Sequence, residues 1–405
     1  MAAGNTDLIG IEALLQPSEI ETRNRVRALV DEHIKPHVGQ WFENAELPTH
    51  LFPILAEAGL FGMHIKGYGC AGKSAVEYGL AMQELEAGDS GIRTVVSVQG
   101  SLAMSAIYKH GSEEQKEHWL PRMAKGEVIG CFALTEPTAG SDPSSMATHA
   151  QWVDGQWRLS GAKRWIGLAS VAQVAIVWAK VSDADVVASG NTLEKESAGG
   201  ATVRGFIVPT DLEGFTATPI TNKLSMRASI QCDIEMDQVA LPADALLPKN
   251  PGLKAPFMCL NEARFGIAFG AMGAARDALE CALEYSAERL QFERPLSSFQ
   301  LTQQKLANMA VELNKGQLLA LTIGRAKDAG TLQTHQISVG KLSNCRTAIE
   351  ICQLARTILG GNGITTEYSP MRHAANLESV RTYEGTDEVH TLILGQVLTG
   401  ENAFR

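Results

Sequence analysis

The spacing of apolar residues changes twice along the chain. From about Pro17 to Lys125 they recur at helical intervals. Ser18 with Glu21, just after Pro17, predicts a capping box at a helix start. Residues 74–87 and 99–110 predict two more helices. From about Val128 to Pro248 the period is two. Ile230, Cys232, Ile234 and Met236 alternate with Gln231, Asp233, Glu235 and Asp237, the pattern of a strand with one buried face. Asp154-Gly155 between residues 151–153 and 156–159 predicts a tight hairpin. Residues 174–181 and 203–208 predict further strands, and the polar stretch 182–202 an exposed loop. From about Phe257 the helical period returns. Long helices are expected near 257–291, 300–329 and 335–359, the last stopped by Gly360-Gly361-Asn362-Gly363. Two shorter helices flank Tyr383-Glu384-Gly385. No internal repeat of fixed period is present. The expected fold is α+β: an N-terminal helical domain (1–127), a middle β domain (128–248) and a C-terminal helical bundle domain (249–405).

A length of 405 residues suits two or three domains. The formal net charge of −10, with no basic stripe, argues against a nucleic-acid partner. An acidic ligand must then be met by local Arg or Lys rather than by a global field. The 7 cysteines include no C-x-x-C pair, which points to reduced thiols and a cytoplasmic setting. The first residues lack a cationic start followed by an apolar run, so no secretory signal is expected. No uncharged apolar stretch is long enough to predict a membrane span. No H-E-x-x-H or paired C-x-x-C predicts a metal.

Gly67-Tyr68-Gly69-Cys70-Ala71-Gly72-Lys73-Ser74 matches the phosphate-loop pattern G-x-x-x-x-G-K-[ST]. The alternating strands and helices of a nucleotide-binding α/β fold do not accompany it. The expectation is a glycine-rich turn with an incidental Lys73. A P-loop NTPase is kept as a remote alternative.

Several segments carry a stronger signal together. Phe132-Ala133-Leu134-Thr135-Glu136-Pro137-Thr138-Ala139-Gly140-Ser141-Asp142 resembles the flavin-contacting segment of the acyl-CoA dehydrogenase family. Lys163-Arg164-Trp165-Ile166 resembles its second flavin segment. Arg289-Leu290-Gln291-Phe292, Gln300, Leu359-Gly360-Gly361-Asn362-Gly363 and Tyr383-Glu384-Gly385-Thr386 follow in the family's order. The resemblance spans nearly the whole chain. Within the family, Glu86, Asp89-Ser90-Gly91-Ile92-Arg93, Ser97-Val98-Gln99 and Cys259-Leu260-Asn261-Glu262-Ala263-Arg264-Phe265-Gly266 are most similar to the glutaryl-CoA dehydrogenase group.

The resemblance implies FAD and an acyl-CoA substrate. It places Phe132, Leu134, Thr135, Gly140, Ser141, Trp165, Ile166, Gly167, Thr386, Glu388 and Phe404 at the cofactor. Arg289, Phe292 and Gln300 would reach a neighbouring subunit's FAD, with Thr357, Leu359, Gly360 and Gly361 closing over its diphosphate. That implies a homo-oligomer, by family a homotetramer. An electron-transfer flavoprotein is the implied acceptor.

The chemistry can be argued from residue types. A thioester α-proton is weakly acidic, so a carboxylate removes it only where water is excluded and the enolate oxygen is stabilised. Glu384, beside Tyr383 and Gly385, is the expected base, with its pKa raised by burial. By resemblance, the enolate oxygen is held by the Glu384 N–H and a flavin ribityl hydroxyl, and the β-hydride goes to flavin N5. Arg93 would bind the substrate's terminal carboxylate through its guanidinium fork. Thr94 stands where the group usually has Ser. Glu86, Ser141, Asn261, Arg264, Tyr383 and Gly385 complete the expected substrate contacts. The implied reaction converts glutaryl-CoA to crotonyl-CoA and CO₂. A dehydrogenase or oxidase for another acyl-CoA, longer dicarboxylic or short-chain, is the alternative.

Two positions depart from the pattern. Gly167 stands where a Thr usually bonds flavin N5, which leaves oxidase activity open. Glu293 stands where Gly usually follows Gln-Phe, and a carboxylate near a diphosphate is repulsive unless it faces solvent.

Overall fold

The computed structural model describes residues 6–192 and 201–404. The N-terminal part is helical: α1 (Pro17–His33), α2 (Val38–Asn44), α3 (Leu51–Glu57), α4 (Ala75–Gly88), α5 (Ser90–Val96), α6 (Ser105–His110) and α7 (Glu113–Ala124). The middle strands are β1 (Gly130–Ala133), β2 (His149–Val153), β3 (Gln156–Gly167), β4 (Val174–Ser182), β5 (Ala201–Pro209), β6 (Phe215–Pro219) and β7 (Gln231–Leu241), with α8 (Asp183–Ala188) between β4 and β5. The rest is α9 (Lys254–Glu288), a two-stranded turn β8 (Leu290–Gln291) and β9 (Arg294–Pro295), α10 (Gln300–Asp328), α11 (Thr334–Ile358), α12 (Ser369–Val380) and α13 (Asp387–Thr399). This is an α+β fold in the expected order.

Three expectations need correction. The capping box on α1 is formed by Gln16 and Glu19, whose Oε2 accepts from the Gln16 N–H at 2.7 Å, because Pro17 is the first helical residue. Residues 90–110 form one continuous helical run, beginning well before Gln99. Asp89 caps its start by accepting from Gly91 N–H at 2.7 Å, and residues Ser97–Met104 adopt π-helical bonding. The stretch 182–202 is not all loop. Ser182 caps α8 by accepting from Asp185 N–H at 3.0 Å, and Val186 anchors that helix in the core. Residues 193–200 lie outside the described residues.

The sheet runs β1-β4-β2-β3-β7-β6, with β5 on β4. The hairpin at Asp154-Gly155 pairs Trp152 with Trp157 and Val153 with Gln156. Trp157, Trp178 and Phe206 fill the core beneath the sheet. In β3 the register shifts between Lys163 and Ile166, a bulge that turns Trp165 outward at φ 63°.

Helices α4 and α9 pack against each other. Every residue of α4 is buried, so its carboxylates need internal cations. Glu84 receives Arg27 and Arg276, and Glu86 receives Arg93. Gly266, Gly270 and Gly273 on α9 let the two helices close. A Cβ on Gly270 would overlap Glu86 Oε2, and one on Gly273 would overlap the Gln83 carbonyl. The phosphate-loop match is a turn. Lys73 Nζ is bonded to Glu77 at 2.8 Å, Ser74 caps α4, and among the described residues no strand precedes the turn, which removes the NTPase reading. All seven cysteines are free thiols. Among the described residues, no helix is long and apolar enough to cross a membrane.

Candidate active site

The turn between α12 and α13 holds Glu384 at φ 57° and Gly385 at φ 99°. A non-glycine residue in the left-handed region costs of order 1–3 kcal/mol, so its surroundings must hold it. They do so through buried cations. Arg264 Nε donates to the Glu384 carbonyl at 2.6 Å, and Lys341 Nζ donates to the Gly385 carbonyl at 2.7 Å. Asn261 in turn receives Arg264 Nη1 at 3.1 Å. Thr386 caps α13 by accepting from Val389 N–H. Glu384 Oε2 is buried and makes no hydrogen bond among the described residues. Burial raises the carboxyl's pKa above its ordinary value. Arg93, Lys341 and Arg264 oppose the rise, and Glu86 adds to it.

Around this carboxyl stands a second constellation. Arg93 Nε donates to Glu86 Oε2 at 2.8 Å, with side-chain exposures of 1% and 0%. Arg93 Nη2 donates to the Tyr383 hydroxyl, and the guanidinium lies 5.8 Å from the Tyr383 ring centroid. Ser90 Oγ donates to the other oxygen of Glu86 at 2.8 Å. Thr94 Oγ1 donates to the Ser90 carbonyl and stands 3.5 Å from the Tyr383 hydroxyl. Glu86, Arg93, Thr94, Tyr383, Glu384, Gly385, Asn261 and Arg264, scattered over the sequence, are thus neighbours. Gly270 makes room for Glu86, and Lys341 braces the turn. Neither was found by sequence reasoning. A lone Lys in a helical run carries no signal, although the Gly266/Gly270/Gly273 spacing on one helix face is a legible sign of close approach.

The segments expected at the flavin form a second group. Lys163 Nζ, buried, donates to the Leu134 carbonyl at 3.0 Å and to Glu136 at 2.9 Å. Glu136 also accepts from the N–H groups of Ala147 and Thr148. Arg164 N–H donates to the Thr135 carbonyl at 2.9 Å. Residues 132–141 and 163–167 are therefore tied together. Leu134 and Ile166 are buried, Ser141 is exposed, and Trp165 is half exposed under the Arg164 guanidinium. The Phe132 ring packs against Trp178 in the core. A Cβ on Gly140 would meet nothing within 4 Å, and one on Gly167 would meet Val98 at 3.4 Å.

A third group gathers at one end of the bundle. Arg289 and Phe292 lie in the exposed connection from α9 to α10, Gln300 opens α10, and Phe292 is 88% exposed. Thr357, Leu359, Gly360 and Gly361 end α11 beside it. Lys305 of α10 donates to Thr357 at 3.2 Å, and Asn362 donates to Tyr285 of α9 at 3.1 Å. A Cβ on Gly360 or Gly361 would meet nothing within 4 Å. Glu293 is exposed, as its charge requires. Glu388 and Phe404 are also exposed. Among the described residues, no hydrogen bond joins this third group to the other two.

Comparison with known proteins places these features in a family. Residues 16–127, 131–239 and 250–399 match the models of the acyl-CoA dehydrogenase N-terminal, middle and C-terminal domains. A solved glutaryl-CoA dehydrogenase from Mycobacterium smegmatis is 58% identical, with TM-score 0.92 over 98% of this chain and 99% of that one. A glutaryl-CoA dehydrogenase from the same organism, in complex with FADH2, is 53% identical, with TM-score 0.94 over 100% of both chains. A probable acyl-CoA dehydrogenase of Bacillus subtilis is 33% identical over 93% of this chain and 96% of its own length.

Proposed function

The chain belongs to the acyl-CoA dehydrogenase family, oxidoreductases acting on CH–CH bonds, and from that premise we propose that it converts glutaryl-CoA to crotonyl-CoA and CO₂. The observation that carries the reading is the buried Arg93–Glu86–Tyr383 cluster beside a carboxyl, Glu384, whose Oε2 has no hydrogen-bond partner among the described residues. A guanidinium in that position suits a substrate with a carboxylate at its far end. The similarity to the two Mycobacterium smegmatis glutaryl-CoA dehydrogenases supports the same substrate.

FAD fits the chain. Gly140 leaves the sheet-side segment open, and Gly360 and Gly361 offer bare backbone at a helix end, where a diphosphate can approach closely. Phe132, Leu134, Thr135, Gly140, Ser141, Trp165, Ile166, Gly167, Thr386, Glu388 and Phe404 would hold it from one subunit. Arg289, Phe292, Gln300, Thr357, Leu359, Gly360 and Gly361 would hold it from another. The exposure of Phe292 and the separation of the third group support that division and a homo-oligomer, by family a homotetramer. When bound, the flavin supplies the two-electron acceptor for the substrate's β-hydrogen, and an electron-transfer flavoprotein receives the electrons.

The protein's own part is proton management. Glu384 takes the α-proton, and burial, by raising its pKa, makes it a stronger base than an exposed carboxylate. Arg93 holds the γ-carboxylate. After oxidation, the bond from that carboxylate to the chain breaks, CO₂ leaves, and the electron pair enters the thioester-conjugated dienolate. The proton held on Glu384 then completes crotonyl-CoA. The test is anaerobic mixing of the flavin-loaded protein with glutaryl-CoA, followed by product masses. Bleaching with crotonyl-CoA formed supports the whole reading. Bleaching only with uncarboxylated or longer acyl-CoA keeps Glu384 and discards the substrate. A Glu384→Gln variant of near-normal activity would refute the base.

A further inference from the structure

Two buried cations hold the turn that carries Glu384, and Lys341 has no role in the reading above. It lies on α11 with 1% of its surface exposed. A lysine this buried is normally paired with a carboxylate. Here its bonds go to main-chain carbonyls instead, Gly385 at 2.7 Å and Arg381 at 3.4 Å. Arg264, from α9, holds the preceding carbonyl, that of Glu384. The two residues so clamped are consecutive and both left-handed.

We propose that Lys341 is a positioning residue for Glu384. By holding the Gly385 carbonyl while Arg264 holds the Glu384 carbonyl, it locks two successive peptide planes and so fixes where the catalytic carboxyl stands. The inference rests on the reading of Glu384 as the base. Lys341 spans from the bundle to the turn, so the geometry of the base depends on how α11 packs.

The charges around the clamp are few. Glu384 faces Arg93, Lys341, Arg264 and Glu86, and Lys341 faces Cys345, Glu384, Arg264 and Asp387. Asp387 is already engaged by Arg346 and Arg381. His390 packs against Gly385 and bonds Ser338 at 2.9 Å. Burial, then Lys341 and Arg264, push its pKa down to about 3, so it adds no charge. Lys341 also opposes the rise that burial gives the Glu384 pKa.

The test uses flavin-loaded enzyme and 3,3-dimethylbutyryl-CoA, a thioester with α-hydrogens but no β-hydrogen. Exchange of its α-hydrogens in D₂O, read by mass, reports proton abstraction without oxidation. In Lys341→Met, exchange and kcat should fall about ten- to a hundredfold with KM little changed. The acid limb of kcat/KM should move to higher pH, because a cation that favoured the ionised base is gone. Lys341→Arg should return the limb to its original place. A residue that only supports the fold would lower Tm and leave the limb unmoved. If Lys341→Met yields no flavin-loaded protein, Lys341→Gln and Lys341→Arg carry the same comparison. Exchange within threefold of wild type and an unmoved limb, in Met or Gln, overturn the proposal. A parallel Glu384→Gln separates the two failures. Exchange surviving there removes the base itself, whereas exchange lost there but unchanged in Lys341→Met removes only the clamp.

Discussion

Replacing Arg93 with Met tests the substrate assignment most directly. Two of its donors are committed inside the protein, Nε to Glu86 and Nη2 to the Tyr383 hydroxyl. Nη1 makes no hydrogen bond among the described residues, so it can donate to a substrate carboxylate. A hydrogen bond to a charged group contributes about 1.5–3 kcal/mol, which is about 10- to 150-fold in rate. The assay is the ratio of kcat/KM for glutaryl-CoA to that for butyryl-CoA, and the expected change is a fall by that factor. Using a ratio removes a confounding effect. Arg93 also lowers the Glu384 pKa, so its loss moves the acid limb upward, but it does so for both substrates. The single variant also strands the Glu86 carboxylate, fully buried, with Ser90 as its remaining donor. Leaving a buried charge unpaired costs about 3–5 kcal/mol. The double variant Arg93→Met/Glu86→Gln should therefore be more stable than the single one and show the same selectivity. A ratio within threefold of wild type in both variants would show that Arg93 does not bind the carboxylate.

Further outcomes follow from the same geometry. Gly270→Ala places a methyl group on Glu86 Oε2, so it should destabilise by about 1–3 kcal/mol in thermal unfolding and weaken the preference for carboxylated substrate; an unchanged Tm and preference would contradict the packing argument. Gly385→Ala forces a φ of 99° on a side chain whose Cβ would stand 2.9 Å from His390 Nε2, so kcat should fall strongly while the protein still folds, measured by turnover per bound flavin. For wild type, kcat/KM should lose activity as pH falls through a value above the ordinary carboxylate range, since the base must be ionised and burial raises its pKa; a limb at or below that ordinary range would contradict the burial argument. Gly167→Thr adds a Cβ only 3.4 Å from Val98, an ordinary contact, so it should fold normally. The ratio of oxygen-dependent to artificial-acceptor turnover then reports whether that glycine governs the acceptor, and an unmoved ratio removes it from that role.

Much was legible in the chain itself. The change of apolar period from 3.6 to 2 and back reflects which face of each element is buried, so the order of helical, β and helical parts follows from local spacing. Glu384 and Arg93 were singled out because they sit in short motifs that resemble the family's. The loop at 182–202 was misjudged because a six-residue helix such as α8, held by one Ser cap and one buried Val, has almost no periodic signal. The capping box was misplaced by two residues because Ser18-x-x-Glu21 and Gln16-x-x-Glu19 overlap, and only the position of Pro17 decides between them. What the tertiary structure alone decided is which distant groups meet. Lys341 touches the turn that carries Glu384 from 44 positions away, and Arg264 does so from 120. Such pairs leave no trace in local spacing, because they depend on how far α9 and α11 approach α4 and the turn, and that approach is set by glycines on a helix face rather than by any motif.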